Sequence, residues 1–204
     1  MKRVKLGMVG GGQGAFIGGV HRIAARIDGK FDLVAGALSS NPDRAAASAV
    51  ELGIAADRSY ASYEEMAKAE AARPDGIDAV AIVTPNHMHA GPAIAFLNAG
   101  IHVICDKPLA ATAEDAAAIA AAVKSSTKAK FILTHNYTGY PLIRQARQMI
   151  ERGDLGKIRI IQAEYAQDWL TMPADPGNKQ ADWRTDPARA GRGAIGDTGT
   201  HALN

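Results

Sequence analysis

The 204-residue sequence has a single cysteine, Cys105. One thiol excludes an intramolecular disulfide and leaves a thiolate metal cluster without its ligands. The sequence also lacks an excess of either charge. Its 23 Lys and Arg against 21 Asp and Glu give a formal net charge of +2, with no basic cluster to concentrate it. The electrostatic footprint of a polyanion binder is therefore missing, and nucleic acid is not an expected partner. No window reaches the apolar length of a membrane span. Lys2, Arg3 and Lys5 precede an apolar run that is too short for a signal peptide and soon breaks into glycines. Internal repeats are absent, and alanine-rich helices are the only compositional bias. These absences point to a cytoplasmic chain with no membrane partner. With 47% hydrophobic and 22% charged residues, the composition is that of a soluble globular protein, large enough for one domain or two small ones.

Glycine, by contrast, is concentrated near the start. The apolar run ends at Val9 and glycines crowd the positions after it. Gly10-x-Gly12-x-x-Ala15 fits the dinucleotide fingerprint in its Ala-ended form. Gly10 permits a tight exit from a strand, and Gly12 lets backbone approach a pyrophosphate. Ala15 is small enough for the next helix to pack close, and the helix N-terminus offers N–H groups to phosphate. A flexible glycine turn is the plainer alternative.

The rest of the chain alternates short apolar strands with helices. Phe16–Asp28 reads as a helix with Ile17, Val20, Ile23, Ala24 and Ile27 on one face. Asp32–Leu38 reads as a buried strand, and Asn41-Pro42 opens a helix to Leu52. Ser62 caps a third helix with Glu64 and Glu65 in its first turn. Asp78–Thr84 is a buried strand, His89–Ala99 a helix and Ile101–Cys105 a strand. Thr112 caps a helix to about Val123, and Phe131–Thr134 is a further strand. This order predicts an α/β fold with a parallel, doubly wound sheet. Past Tyr137 the character changes. Pro141–Arg152 reads as a helix and Ile158–Tyr165 as a strand, while residues 168–194 read as one long proline- and glycine-rich loop.

Several motifs together carry a family resemblance. Gly7–Arg22, Thr84-Pro85-Asn86-His87-Met88-His89, Asp106-Lys107-Pro108 and Gly196-Asp197-x-x-x-His201 occur in order. They resemble the Gfo/Idh/MocA family, the glucose–fructose oxidoreductase and inositol dehydrogenase type of NAD(P)-dependent oxidoreductase. The resemblance implies a Rossmann domain over residues 1–137. It implies that residues 138–204 begin an α+β substrate and oligomerisation domain, most of whose open antiparallel sheet is missing. A hydride would pass between a secondary hydroxyl of a sugar, sugar derivative or cyclitol and the nicotinamide. A homo-oligomer is implied for the full-length protein.

By resemblance, Lys107 stabilises the negative charge developing on the reacting oxygen. Here it follows Asp106 where the family motif has Glu-Lys-Pro. A lysine in a surface turn is the plainer reading. By resemblance His201 exchanges the hydroxyl proton, while Asp197 orients it or binds a second hydroxyl. Four residues apart, the two share a face of a helix. The cofactor set implied is Gly10, Gly12, Gln13, Gly14, Ala15, Phe16 and Ile17, then Thr84, Pro85, Asn86 and Asp106, with His89 in support. Trp183 and Arg184 also match the family, where the pair reaches the cofactor; an interface or packing role is the alternative.

His87-x-His89 invites a metal reading, but Pro85 ends the strand and no carboxylates accompany the pair, so no metal is expected. His21, His135 and Cys105 read as structural. Asp32 has the spacing of a ribose-binding acid but sits at the wrong end of its strand. Ser39, Ser40 and Arg44 occupy the ribose end instead and tolerate a 2′-phosphate, a slight preference for NADP, while Asp43 keeps NAD open.

Overall fold

The computed structural model describes residues 2–190 and 193–204. The chain divides into two units, Met1–Leu133 and Thr134–Asn204.

The first unit is built on β1 (Val4–Gly10), β2 (Phe31–Ala37), β3 (Ala79–Val83), β4 (His102–Asp106) and β5 (Phe131–Thr134), in the sheet order β2-β1-β3-β4-β5. The pairs β1–β2, β1–β3 and β3–β4 are parallel. Helices α1 (Phe16–Ile27), α2 (Pro42–Glu51), α3 (Tyr63–Ala72), α4 (Ala90–Asn98) and α5 (Ala113–Ser125) connect the strands.

Strand β3 shows why the sheet needs two covers. All five of its residues are buried, and they divide between two cores by alternation. Val80 and Ile82 join Met66, Phe96, Leu97 and Ile119 from α3, α4 and α5. Ala79, Ala81 and Val83 join Leu6, Met8 and Ala49, with Ile17 and Ala25 of α1 packed against them. Sequence supplied the helix starts. Asn41, Ser62 and Thr112 each accept a backbone N–H three residues on, the side-chain capping that those residue types favour.

Helix α1 departs from the expectation. Its face of Val20, Ile23 and Ile27 points outward, at 42%, 56% and 75% exposure, and Phe16 continues it at 67%. Inward-facing positions are Ile17, Gly18, His21, Arg22 and Ala25. The reason is a backbone contact. A Cβ on Gly18 would lie 2.4 Å from Gly11 Cα and 2.7 Å from Gly11 O. This approach sets the rotation of the helix and outweighs its apolar periodicity.

Beneath β2 and α3 lies a closed polar network. Glu70 is fully buried and accepts from Arg58 Nε at 3.0 Å, Tyr60 Oη at 2.8 Å and the Ile77 N–H at 3.0 Å. Arg58 Nη2 also donates to it. Burial and the Glu70 carboxylate push the Tyr60 phenol up to about 12.

The second unit contains α6 (Pro141–Glu151), α7 (Lys179–Arg184), α8 (Pro187–Ala190) and α9 (Thr200–Leu203), the last preceded by a π-helical turn, Ile195–Gly199. Two expectations need correction. Residues 168–194 are not one loop, because α7 and α8 interrupt them. Ile158–Tyr165 is not a strand, since no ladder forms there among the described residues. Alternation marks a surface suited to a sheet, but a strand exists only through hydrogen bonds to a neighbour. Ile160 and Ile161 stay 86% and 85% exposed.

Candidate functional site

Parallel registry brings the strand ends of the first unit into one row. Val9 pairs with Ala37, Gly10 with Val83, and Ile82 with Cys105. Leu38, Gly10, Thr84 and Asp106 therefore follow one another across the carboxyl edge of the sheet, where doubly wound folds hold their ligands.

The glycine loop is anchored at that edge. Gly10, Gly11 and Gly14 have φ of 78°, 74° and 75°, a region costly for residues with a Cβ. Gly12 is small for another reason: a Cβ there would lie 2.7 Å from Ser48 Oγ and 2.8 Å from Leu38 O. Its N–H donates to Leu38 O at 3.2 Å. Gln13 is tied to α2, its N–H donating to Ser48 Oγ at 3.0 Å and its amide to Glu51 at 3.0 Å. Arg22 reaches back from α1 to donate to Gly11 O at 2.7 Å.

Ala15 is the N-cap of α1, and no side chain caps that end, nor does an acidic residue lie in the first turn. The N–H groups of Phe16 and Ile17 open that turn, where the helix favours an anion. Close packing of this helix on the loop is seen at Gly18.

Beyond β2, the Asn41 N–H donates to Ser39 Oγ at 3.1 Å. Ser40 and Arg44 are exposed, and no ion pair engages Arg44 among the described residues. Asp32 pairs with Arg3 at 2.8 Å at the opposite end of β2, as its position in the strand implied.

Beyond β3, Pro85 leads into a short 3-10 turn, Asn86–Met88, with Asn86 buried. His89 is fully buried. Its Nδ1 lies 2.8 Å from Pro108 O and its Nε2 3.0 Å from Thr84 O. Both ring nitrogens thus face carbonyls, which removes the geometric basis for a His87-x-His89 metal pair. Lys107 is half-buried and follows β4, and its peptide bond to Pro108 is cis. Asp106 Oδ1 lies 3.6 Å from His21 Nε2. Cys105 is fully buried and its thiol is pushed up to about 12 by burial and by the charge of Asp106.

In the second unit, Asp197 lies in the π-helical turn and His201 in α9. A π-turn is wider than an α-turn, so four-residue spacing no longer stacks side chains directly. Asp197 Oδ2 accepts from Arg184 Nε at 3.1 Å, and the Arg184 guanidinium lies 5.8 Å from the Trp169 ring. The Trp183 side chain lies outside the described residues.

The His201 ring sits 4.8 Å from Tyr137, 5.7 Å from Tyr165 and 6.1 Å from His135. The Tyr137 and Tyr165 hydroxyls are 2.5 Å apart, and that bond pushes Tyr137 up to about 12. Sequence reasoning missed Tyr137, Tyr165, His21, Arg22 and Ser48. Only His21 and Arg22 left a readable signal, standing three and four residues after Gly18 on the glycine-led face of α1.

Residues 4–135 match the family described as "Oxidoreductase family, NAD-binding Rossmann fold", and residues 143–204 match the GFO/IDH/MocA C-terminal domain. The chain belongs to the Gfo/Idh/MocA oxidoreductases. An uncharacterized oxidoreductase, YfiI of Bacillus subtilis, is 39% identical over 98% of this chain and 51% of its own length. Levoglucosan dehydrogenase of Pseudarthrobacter phenanthrenivorans is 36% identical over 100% of this chain and 50% of its own. A solved inositol dehydrogenase homologue from Azotobacter vinelandii, complexed with NAD+, is 40% identical with a TM-score of 0.93. That match covers 99% of this chain and 52% of the homologue's. The chain spans about half the length of the curated relatives it matches. As a Gfo/Idh/MocA chain it has the NAD-binding Rossmann fold of an enzyme family. No helix among its described residues is long and apolar enough to cross a membrane.

Proposed function

We propose that this chain carries the cofactor half, and part of the substrate half, of an NAD(P)-dependent dehydrogenase. The reaction is oxidation, or its reverse, at a secondary hydroxyl of a sugar, sugar derivative or cyclitol. The observation that carries this reading is Lys107 at the end of β4, in the same row of strand ends as the glycine loop. The names of relatives support the substrate class: levoglucosan dehydrogenase, and an inositol dehydrogenase homologue solved with NADH and myo-inositol.

The residues present fit the cofactor. The loop's close approach to Leu38 and Ser48 leaves no room for a Cβ at Gly12, and the uncapped start of α1 suits a pyrophosphate. Phe16 and Ile17 offer their N–H groups, Thr84, Pro85, Asn86 and Asp106 border the site, and Ser39, Ser40 and Arg44 face the adenosine ribose. Serines beside an arginine that no ion pair engages among the described residues favour a 2′-phosphate, hence NADP. When bound, the nicotinamide accepts or returns a hydride.

Lys107 holds the substrate hydroxyl and stabilises its developing negative charge. His201 takes the hydroxyl proton or gives it back, and Asp197 contributes to holding it or a second hydroxyl. Arg184 fixes Asp197. A cytoplasmic homo-oligomer is part of the same proposal.

The test compares wild type with Lys107→Ala by fluorescence titration of NADH and NADPH and by turnover on a polyol panel. Turnover is expected to fall by about 100-fold or more, the scale of losing one oxyanion stabiliser, with cofactor affinity nearly unchanged. Unchanged turnover would remove Lys107 from the chemistry, and clearly tighter NADH binding would reverse the NADP preference. A second reading, a nucleotide-binding module without turnover, draws on the match to only half of each relative. Wild type that binds NADPH but oxidises nothing in the panel selects it.

A further inference from the structure

Lys107 stands between two residues that each have a histidine as a neighbour. Pro108 follows it, and the Pro108 carbonyl faces His89 Nδ1 at 2.8 Å. The other nitrogen of that ring faces Thr84 O at 3.0 Å. His89 therefore packs, with no exposed surface, between the loop after β4 and the end of β3, and its ring N–H donates to one of these two carbonyls. Asp106 precedes Lys107, and its Oδ1 lies 3.6 Å from His21 Nε2, both side chains being mostly buried. His21 comes from α1, whose rotation is set by the contact between Gly18 and Gly11. Three elements thus converge on one tripeptide.

We propose that His89 and His21 are positioning residues for Lys107, bracing the Asp106-Lys107-Pro108 turn at the residue on either side of the lysine. This rests on the reading of Lys107 as the group that stabilises the reacting oxygen. The physical argument is one of freedom. Lysine has four rotatable side-chain bonds, so its head is directed only if the backbone beneath it is fixed. A carboxylate next in sequence is also a competing partner for the ammonium. On the α1 side, Asp106 Oδ1 has His21 Nε2 as a neighbour at 3.6 Å.

The test uses His21→Leu, which removes the contact, and His21→Gln, whose amide N–H restores a donor near the position of Nε2. His89→Phe keeps a ring but deletes both polar contacts. The first readout is the acylation rate of Lys107 by trace acetic anhydride, resolved by mass spectrometry and normalised to Lys124, an exposed lysine on α5. This readout needs neither cofactor nor substrate. His21→Leu is expected to change the normalised Lys107 rate by about threefold or more as Asp106 loses its neighbour on α1, and His21→Gln to recover most of the wild-type rate. His89→Phe is expected to change the normalised rate by a similar factor.

The second readout is turnover, where His21→Leu is expected to lower kcat by about tenfold with KM for the cofactor unchanged. An unchanged Lys107 rate in His21→Leu overturns the proposal, and so does a His21→Gln rate equal to that of His21→Leu. If His89→Phe fails to fold, the His21 pair decides alone. If wild type binds cofactor but turns nothing over, the dehydrogenase reading falls while the acylation comparison still decides the brace.

Discussion

Replacing Gly18 with alanine is expected to weaken cofactor binding by more than tenfold, although the substitution adds one methyl group to a helix that favours alanine. The added Cβ would lie 2.4 Å from Gly11 Cα and 2.7 Å from Gly11 O. Both are backbone atoms of a loop held at Leu38 and by Arg22, so no flexible side chain can give way. Either α1 lifts from the sheet or the loop shifts, and both displace the N–H groups offered to phosphate. Overpacking of this kind costs roughly 1–3 kcal/mol in stability, and about 1.4 kcal/mol lost from binding is already tenfold in affinity. Gly19→Ala supplies the control on the next residue. Its Cβ would meet only Arg22 Nη2 at 3.8 Å, so it should gain up to about 1 kcal/mol of helix stability and bind as before. Fluorescence titration with NADH and thermal melting read the two effects separately. Wild-type affinity in Gly18→Ala would show that the contact with Gly11 is dispensable.

Glu70→Ala is expected to cause the largest loss of stability. The substitution leaves the Arg58 guanidinium, the Tyr60 hydroxyl and the Ile77 N–H without their common acceptor. Asp75, 3.7 Å from Arg58 Nη1 and more than half exposed, replaces little of it. Removing one partner of a buried ion pair costs about 3–5 kcal/mol, which for a chain of this size is a fall of about 10 °C in melting temperature. Glu70→Gln keeps an acceptor and should lose less.

The same network gives a pH dependence. Tyr60 titrates near 12 when folded and near 10 when unfolded. Above pH 10 the unfolded chain therefore binds fewer protons, and stability falls as pH rises toward 12. Tyr137 shifts in the same direction. Tyr60→Phe should accordingly reduce the alkaline slope without abolishing it. A slope identical to wild type would show that Tyr60 does not contribute.

The Rossmann half was legible because its signals are local and redundant. β3 is a short apolar run closed by a proline, Asn41, Ser62 and Thr112 announce helix starts, and the glycines mark a loop only they can form. What escaped was set by distant contacts. The inward face of α1 follows from two glycine backbones meeting, which no hydrophobic period encodes, so Val20 and Ile23 read as inward-facing residues and are surface. Ile158–Tyr165 has the alternation of a strand but lacks a partner among the described residues. Asp197 and His201 were identified through family motifs, whereas the π-turn between them follows from no spacing rule. Tyr137 and Tyr165 lie 28 residues apart, and nothing in the intervening sequence marks them as a pair.

Ser48 joins two parts of the site that are usually thought of separately. Its hydroxyl donates to Arg44 O at 2.6 Å and accepts the Gln13 N–H at 3.0 Å. The helix turn that carries Arg44 is thereby latched to the glycine loop. If Ser39, Ser40 and Arg44 set cofactor preference as proposed, exchanging any of them also pulls on the glycine loop. On that proposal selectivity and affinity are mechanically geared together, and a switch of one is expected to require a compensating change near Ser48.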